Sequence, residues 1–118
     1  MKKPSKILVV RFSSIGDIVL TSPVLRCLKN QLVSELHFLT KIKYSHVIKN
    51  NPNIDKLYTI SNSTSEILRD LELERYDFMI DLHCNLRSLF LSTKLRVKSI
   101  GYYKQNIKKL IYILTGIN

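Results

Sequence analysis

The chain is poor in the residues that mark fibrous, secreted or membrane-spanning proteins. It has three Gly, three Pro, two Cys and no Trp in 118 residues, too few for a flexible linker, a low-complexity segment or a disulfide framework. No apolar run approaches the roughly 18 residues of a transmembrane helix, and the run Ile7–Val10 that follows the charged N-terminus is too short for a signal peptide. We therefore expect one cytoplasmic domain, with Cys27 and Cys84 as reduced thiols.

Acidic residues are scarce and unevenly placed. Nineteen Lys and Arg against nine Asp and Glu give a net charge of +10. Residues 1–50 hold nine basic and two acidic side chains, residues 51–81 hold three and seven, and residues 82–118 hold seven basic and no acidic ones. The two basic segments favour anionic partners such as phosphates, acidic sugars, nucleic acid or an anionic membrane. The alternative is that these charges form a solvent-exposed surface that keeps the protein soluble.

Apolar spacing switches repeatedly between strand-like and helix-like periods. The predicted strands are 7–10, 35–40, 56–60, 76–81 and 97–101; the predicted helices are 16–32, 44–49, one after the capping-box pair Ser63 and Glu66, 86–95 and 104–114. For 16–32 the pattern favours one helix with an irregular first part, and the alternative is a turn before a helix that begins at Pro23. This alternation predicts an α/β fold, an open doubly wound parallel sheet of Rossmann-like type.

Ligands of such sheets bind beyond the carboxyl ends of the strands, and the loop after the first strand carries candidate residues there: Arg11, Ser13, Ser14, Gly16 and Asp17. Gly16 permits close backbone approach or an unusual φ, and a helix N-terminus behind it favours anions. Asp17 adds a carboxylate at the same end of the first strand. It could instead compensate the helix dipole while a serine caps the helix. The loop lacks the glycine patterns of dinucleotide and P-loop sites.

A second loop, after the fourth strand, places His83, Asn85, Arg87 and Ser88 at a helix start. A guanidinium such as that of Arg87 can bind a carboxylate or phosphate through two parallel hydrogen bonds. The alternative is that Asp81 and Asn85 cap the helix while Arg87 is solvated. His83 has no carboxylate partner in view, and neither His37 nor His46 has ligand spacing with any Cys or acid, so no metal site is predicted.

Three segments together resemble glycosyltransferase family 9, the ADP-heptose:lipopolysaccharide heptosyltransferases. The first has the family's aliphatic strand, Arg, Ser, Gly-Asp pair and Thr-x-Pro, at Arg11, Ser13, Ser14, Gly16, Asp17, Thr21 and Pro23. The second has its Asn-Pro-x-Ile-Asp turn, at Asn51, Pro52, Ile54 and Asp55. The third is similar to its Asp-Leu-Gln-Gly-Asn-x-Arg-Ser loop, followed by Gly101 and Tyr102. The resemblance runs in order from Lys6 to the last residue.

The resemblance implies the N-terminal half of a two-domain GT-B-type glycosyltransferase, in which this half binds the acceptor and the other binds the sugar nucleotide. The family transfers heptose from ADP-heptose to the inner core of lipopolysaccharide, of Kdo-lipid A type, with inversion and without a required metal or other cofactor. Asp17 falls on the position of the general base. The implied acceptor-binding residues are Arg11, Ser13, Ser14, Gly16, His83, Asn85, Arg87 and Ser88.

The basic charge fits an acceptor rich in carboxylates and phosphates, and Lys41 is a further candidate contact. A cytoplasmic protein with peripheral contact to the inner face of the inner membrane is expected. The basic helix predicted at 104–114 is one candidate for that contact, and packing of its apolar side is the alternative.

Two departures from the family qualify these expectations. The family's Gln-Gly in the second loop is His83-Cys84 here, and the chain has about a third of the family's usual length. Residues 1–118 are therefore expected to form an incomplete acceptor-side domain without the sugar-nucleotide domain, unable to transfer sugar by itself.

Other functions stay open at this point. One is a transferase of the same class that acts on another anionic glycan, and another is a basic α/β module that binds a nucleotide or nucleic acid. The six Tyr and four Phe do not cluster on one strand face, so a nucleic-acid partner is not expected. A flavodoxin-like receiver domain would need clustered acids, which Asp17 and Asp81 do not form.

Overall fold

The computed structural model describes residues 5–12, 15–31, 34–82 and 86–101. It contains one sheet of five strands: β1 (Ser5–Val10), β2 (Ser34–Lys41), β3 (Lys56–Ile60), β4 (Phe78–Asp81) and β5 (Lys98–Gly101). The strand order is β3-β2-β1-β4-β5, and every neighbouring pair is parallel. The sheet therefore has an amino edge, where all strands begin, and a carboxyl edge, where all strands end.

Helices cover both faces of this sheet, which confirms the predicted doubly wound α/β fold. They are α1 (Ile15–Val19), α2 (Ser22–Gln31), α3 (Leu68–Glu74) and α4 (Leu86–Leu95), with short 3-10 helices at Ile42–Val47 and Thr64–Glu66. The first two helices pack onto one face through buried aliphatic side chains, and α3 and α4 pack onto the other; the helical residues involved are Ile18, Val24, Leu25 and Leu28 on one side and Leu71 and Leu91 on the other.

The central strand β1 explains why the sheet forms where it does. All four residues of Ile7–Val10 are completely buried, and their side chains alternate between the two core clusters. A continuous aliphatic run is typical of a parallel strand that is covered on both faces. Burying each such side chain stabilises the fold by about 1.5–3 kcal/mol, so this run fixes β1 in the middle of the molecule.

The single helix predicted over 16–32 was wrong. The structure has two helices, α1 and α2, separated by a turn at Leu20 and Thr21. Pro23 is the cause, because it has no N–H to donate to the carbonyl group of Val19 and its ring disfavours a continuous helix there. Pro23 instead occupies the first turn of α2, where its missing N–H has no helical partner to lose.

The other elements lie close to their predicted positions. Strand β3 has its predicted bounds, and the segment predicted as a helix over 44–49 is the 3-10 helix Ile42–Val47. The capping box is confirmed: the Ser65 N–H donates to the hydroxyl of Ser63, and the Ser63 N–H donates to Glu66 over 2.7 Å. The helix predicted at 104–114 lies outside the described residues.

Candidate functional site

The crevice between the ends of β1 and β4 is the topological switch point of the sheet. The chain runs outward from β1 through β2 to β3, then crosses back to β4 and continues to β5. Ligands of open parallel sheets bind at the carboxyl ends of the strands where the order reverses in this way. The loops that leave β1 and β4 are the two loops that the sequence singles out.

Arg11 is the residue that joins the elements around this crevice. One guanidinium nitrogen, Nη2, donates to Oδ2 of Asp17 over 2.8 Å, and Nη1 donates to the carbonyl oxygen of Leu82 over 2.6 Å. Its backbone N–H donates to the carbonyl oxygen of Leu39 over 3.1 Å. Arg11 therefore links the ends of β1, β2 and β4 to α1. Within the described part of the chain its buried Nε has no hydrogen-bond partner.

Asp17 lies in the first turn of α1, with about a quarter of its side chain exposed. The bond from Arg11 orients its carboxylate and compensates its negative charge. Because α1 has only five residues, its dipole is small, and the positive charge beside Asp17 comes from the guanidinium rather than from a long helix.

Gly16 opens the site on its solvent side. A Cβ built on Gly16 would meet no described atom beyond its own helix and chain neighbours within 4 Å, and its φ lies outside the left-handed region. Of the two possibilities that the sequence left open at this position, an unusual φ is therefore not used. Among the described residues, nothing beyond its own helix and chain neighbours occupies the space above Gly16, so there is room there for close backbone approach.

The structure describes only some of the remaining predicted site residues. Ser13, Ser14, His83, Asn85 and the side chain of Arg87 lie outside the described residues. Ser88 is fully buried in α4, because its position in the helix faces the protein interior, so it presents no surface to a ligand while α4 stays in place. Asp81, at the end of β4, is also buried.

A second polar cluster, which sequence reasoning missed, lies at the amino edge. The His37 ring is 1% exposed; its Nε2 bonds to Glu35, and its Nδ1 lies 2.7 Å from the hydroxyl of Tyr76 and 3.8 Å from Glu74. The inference that His37 has no ligand spacing with any acid was wrong. Glu35 was readable from the sequence, since residues two apart on a strand share a face, whereas Glu74 and Tyr76 approach only through the fold.

This cluster has donor atoms of the kind that bind metals. One ligand atom from each of Glu35, His37 and Glu74 lies within 4.8 Å of the others. However, Lys6 and Lys56 donate to Glu74 over 2.6 and 2.9 Å, and two ammonium groups at such distances oppose a divalent cation. The cluster is better explained as a set of ion pairs and hydrogen bonds that connects the amino ends of the strands to the end of α3.

The charges of the cluster also shift its protonation equilibria. Burial alone would raise the pKa of Glu74, but hydrogen bonds from Lys6, Tyr58 and Lys56 outweigh it and hold the pKa at about 2. Burial raises the pKa of Tyr76, and the negative charge of Glu74 adds to the effect. Glu74 is therefore ionised and Tyr76 neutral over the whole ordinary pH range.

A cavity of about 370 Å³ opens at this amino edge, away from Asp17, and its lining includes Lys29, His37 and Asp55. Its charged groups are already matched with one another, as in the 2.6 Å contact of Lys29 with Asp55. By contrast, the crevice at the carboxyl edge combines an oriented carboxylate, a guanidinium and open space. We therefore take the carboxyl edge as the candidate functional site.

The fold and this site define the class of the protein: a Rossmann-like α/β domain with an aspartate–arginine ion pair at the switch point of its sheet. No protein-family profile matches the chain. Among curated proteins, lipopolysaccharide heptosyltransferase 1 from Campylobacter coli is 29% identical over 111 residues, which cover 88% of this chain and 32% of that protein. The chain thus spans about a third of the length of the curated relative it matches.

Solved structures show the same architecture. A family 9 glycosyl transferase from Veillonella parvula superposes with a TM-score of 0.80 at 23% identity, over 100% of this chain and 44% of that one. The E. coli ADP-heptose lps heptosyltransferase II gives 0.73 at 17% identity, over 89% and 33%. The E. coli heptosyltransferase WaaC with ADP gives 0.70 at 18% identity, over 92% and 38%. The resemblance of the chain to glycosyltransferase family 9 is confirmed.

Proposed function

We propose that this chain is the acceptor-binding part of a heptosyltransferase-like glycosyltransferase, which transfers heptose from ADP-heptose to the inner core of lipopolysaccharide. The observation that carries the proposal is the Arg11–Asp17 ion pair at the switch point of the sheet. The sequence relationship to a lipopolysaccharide heptosyltransferase supports it. The acceptor is then an acidic glycolipid of Kdo-lipid A type, and the sugar nucleotide is the second substrate.

Asp17 acts in this proposal as the general base. Its carboxylate accepts the proton of the acceptor hydroxyl while the hydroxyl oxygen forms a bond to the anomeric carbon of the heptose. The bond from that carbon to the nucleoside diphosphate breaks on the opposite side, so the anomeric configuration inverts. A general base must approach the hydroxyl to about 2.6–3.2 Å. The bond from Arg11 is compatible with this, since a carboxylate offers about four acceptor positions.

Arg11 and Gly16 prepare the site for an anionic acceptor. Arg11 fixes the carboxylate of Asp17 while its positive charge offsets the repulsion between Asp17 and an incoming acidic sugar. Gly16 leaves the backbone of α1 open to the sugar ring. Arg87, Lys41 and the serines at 13 and 14 stay candidate contacts for the carboxylates and phosphates of the acceptor.

Acceptor binding is tested directly by calorimetric titration of the 118-residue chain with a Kdo-bearing inner-core oligosaccharide freed of its acyl chains. Arg11→Gln should weaken binding by about tenfold or more, as loss of a charge-assisted contact does. Asp17→Asn should change binding only a few-fold, because its main task concerns proton transfer. Arg26→Gln, which removes an exposed charge on α2, is the matched control. Absence of binding, or equal weakening by the control, would contradict the proposal.

The 118 residues are proposed to bind the acceptor without transferring sugar to it. The chain covers about a third of its curated relative, and transfer also needs groups that hold and neutralise the diphosphate of the donor. Mass spectrometry of a single-turnover mixture of the chain, ADP-heptose and the soluble acceptor should therefore show no heptosylated product. A clear product peak would overturn this part of the proposal.

A transferase of the same class with another anionic glycan as its acceptor is the second candidate. The observation that favours it is the His83-Cys84 pair, where the family has Gln-Gly. Parallel titrations with oligosaccharides that carry uronic acids or phosphates separate the two candidates, because tighter binding to one of these than to the Kdo oligosaccharide would identify a different acceptor.

A further inference from the structure

Four large apolar side chains are exposed at the carboxyl edge around the proposed site. Ile15 is 45% exposed, Val19 49%, Leu20 59% and Ile42 57%. The first two lie one turn apart on α1, Leu20 follows directly, and Ile42 begins the 3-10 helix Ile42–Val47, which contacts α1. We call these four side chains the apolar rim. Asp17 lies on the same short helix as two of them.

Positive charge borders the apolar rim. Lys41 and Lys43 flank Ile42 in the sequence, and Lys43 and Lys49 are exposed. Lys43 lies with its ammonium 5.0 Å from the centre of the Tyr44 ring. This arrangement keeps the ammonium beside an aromatic surface at the border of the rim.

The acidic groups close to the rim are already engaged. In residues 1–50 the acidic residues are Asp17 and Glu35; Asp17 is paired with Arg11, and Glu35 lies at the opposite edge of the sheet. Beyond β3, Glu66 accepts hydrogen bonds from the backbone N–H groups of Ser61, Asn62 and Ser63. The surface around the rim therefore presents apolar side chains and basic groups together.

We propose that the apolar rim and its lysines dock on the surface of an anionic phospholipid bilayer. Apolar side chains bordered by lysines are the pattern of interfacial binding, in which burial of the apolar groups adds to attraction by anionic headgroups. Among the described residues no helix is long and apolar enough to cross a bilayer. The inference rests on the proposed function in one respect, since a membrane-borne acceptor is what would make this docking useful, by bringing Asp17 to the headgroup region.

A second copy of the chain fits the same surface less well. In a two-fold contact the same patch of both copies lies in one interface, so Lys41 and Lys43 of both copies would be brought together there. Like charges placed opposite one another across an interface disfavour association. Anionic headgroups complement these lysines instead.

The test is co-sedimentation of the 118-residue chain with two kinds of vesicle, both free of glycolipid: phosphatidylcholine alone, and phosphatidylcholine with an equal amount of phosphatidylglycerol. The chain should bind the anionic vesicles and bind the neutral ones much more weakly. Leu20→Ser should lower the partition coefficient about tenfold, and Lys43→Gln about fivefold. Leu73→Ser and Lys94→Gln change exposed residues of the same types on α3 and α4, and should leave binding unchanged.

Three results would overturn the inference. The first is no binding to anionic vesicles, and the second is equal loss of binding in the Leu20 and Leu73 variants. The third is concentration-dependent self-association in sedimentation velocity that Leu20→Ser abolishes, without vesicle binding, which would assign the rim to a second copy. These vesicles carry no glycan and the calorimetric titration uses no lipid, so a failure of membrane docking and a failure of acceptor binding are seen separately.

Discussion

At the scale of single residues, the proposed site depends on one contact, the hydrogen-bonded ion pair of Arg11 with Asp17. The two side chains are partly buried, with 20% and 27% exposed, so solvent screens their attraction less than that of a surface pair. The second bond of Arg11, to the carbonyl oxygen of Leu82, fixes the guanidinium relative to β4. The carboxylate is thereby held at one place in the crevice rather than left to rotate.

Gly16→Ala separates the stability of α1 from the function of the site. Because φ is ordinary and the space beyond Gly16 is empty, the variant should fold and gain about 0.5–1 kcal/mol in unfolding free energy. The added methyl group should nevertheless weaken binding of the inner-core oligosaccharide about fivefold or more by overfilling the contact. Urea denaturation and calorimetry measure the two effects.

Asn30→Ala is the matched control for that experiment, since it also replaces a poor helix former on an exposed helical position, on α2 at the far end of the molecule. It should leave oligosaccharide affinity unchanged. An affinity of the Gly16 variant equal to that of the unaltered chain would mean that the acceptor does not approach this backbone.

Part of this residue-scale detail could be predicted from the sequence. The positions of Arg11, Gly16 and Asp17 at the end of the first strand follow from the apolar run before them and from the family resemblance. The bond between Arg11 and Asp17 could not be predicted, because it depends on how the short loop between them turns. The contacts of His37 with Tyr76 and Glu74 depend on the packing of distant segments for the same reason.

At the scale of elements, a local capping signal marks the start of the 3-10 helix Thr64–Glu66, which leads into α3. Ser63→Ala removes the side-chain acceptor of the capping box that precedes α3 and should lower the unfolding free energy by about 1 kcal/mol. Chemical denaturation followed by circular dichroism measures this change. Ser61→Ala, which removes a hydroxyl from the same loop, should cost much less. Equal losses in the two variants would show that the cap does not stabilise α3.

The sequence predicted the elements better than their ends. Strands with compact apolar runs and the Ser63–Glu66 capping box were found because these signals are local. The sequence pattern does not show whether Pro23 bends one helix or separates two. In the structure α1 and α2 are separate helices. Helices α3 and α4 are followed by Arg75 and Arg96 with left-handed φ of 55° and 56°, and the usual sequence signal for such an ending is glycine, which neither position has.

At the scale of the whole molecule, the two edges of the sheet have different tasks. The amino edge is closed by a network of paired charges around Glu74, which connects Lys6 on β1 and Lys56 on β3 to the end of α3. The carboxyl edge carries the Arg11–Asp17 pair, the open space at Gly16 and the apolar rim. Among the described residues, most of the ion pairs therefore lie at the edge opposite to the proposed binding site.

Acid sensitivity is the expected signature of the amino edge. The pKa of Glu74 is lowered from 4.5 to about 2 in the folded chain, so its contribution is fully present above pH 4.5 and is lost as the pH falls toward 2. The loss should amount to roughly 1–2 kcal/mol of unfolding free energy after allowance for solvent screening. Denaturant titrations at several pH values in this range measure it.

Glu74→Gln should lower stability at neutral pH and flatten the dependence of stability on pH below 4.5. Glu72→Gln, an exposed acidic position on the same helix, should keep the slope of the unaltered chain. An unchanged slope in the Glu74 variant would show that the network does not supply this stability.

Amide chemical-shift mapping of the 118-residue chain, titrated with the Kdo-bearing inner-core oligosaccharide, tests the central claim most directly. The account predicts that the largest shifts fall at the carboxyl edge, on the amides of Arg11, Gly16, Asp17 and Leu82. It also predicts that amides near Lys29 and Asp55 at the amino edge stay unchanged. Shifts confined to the amino edge, or no shifts at saturating oligosaccharide, would contradict it.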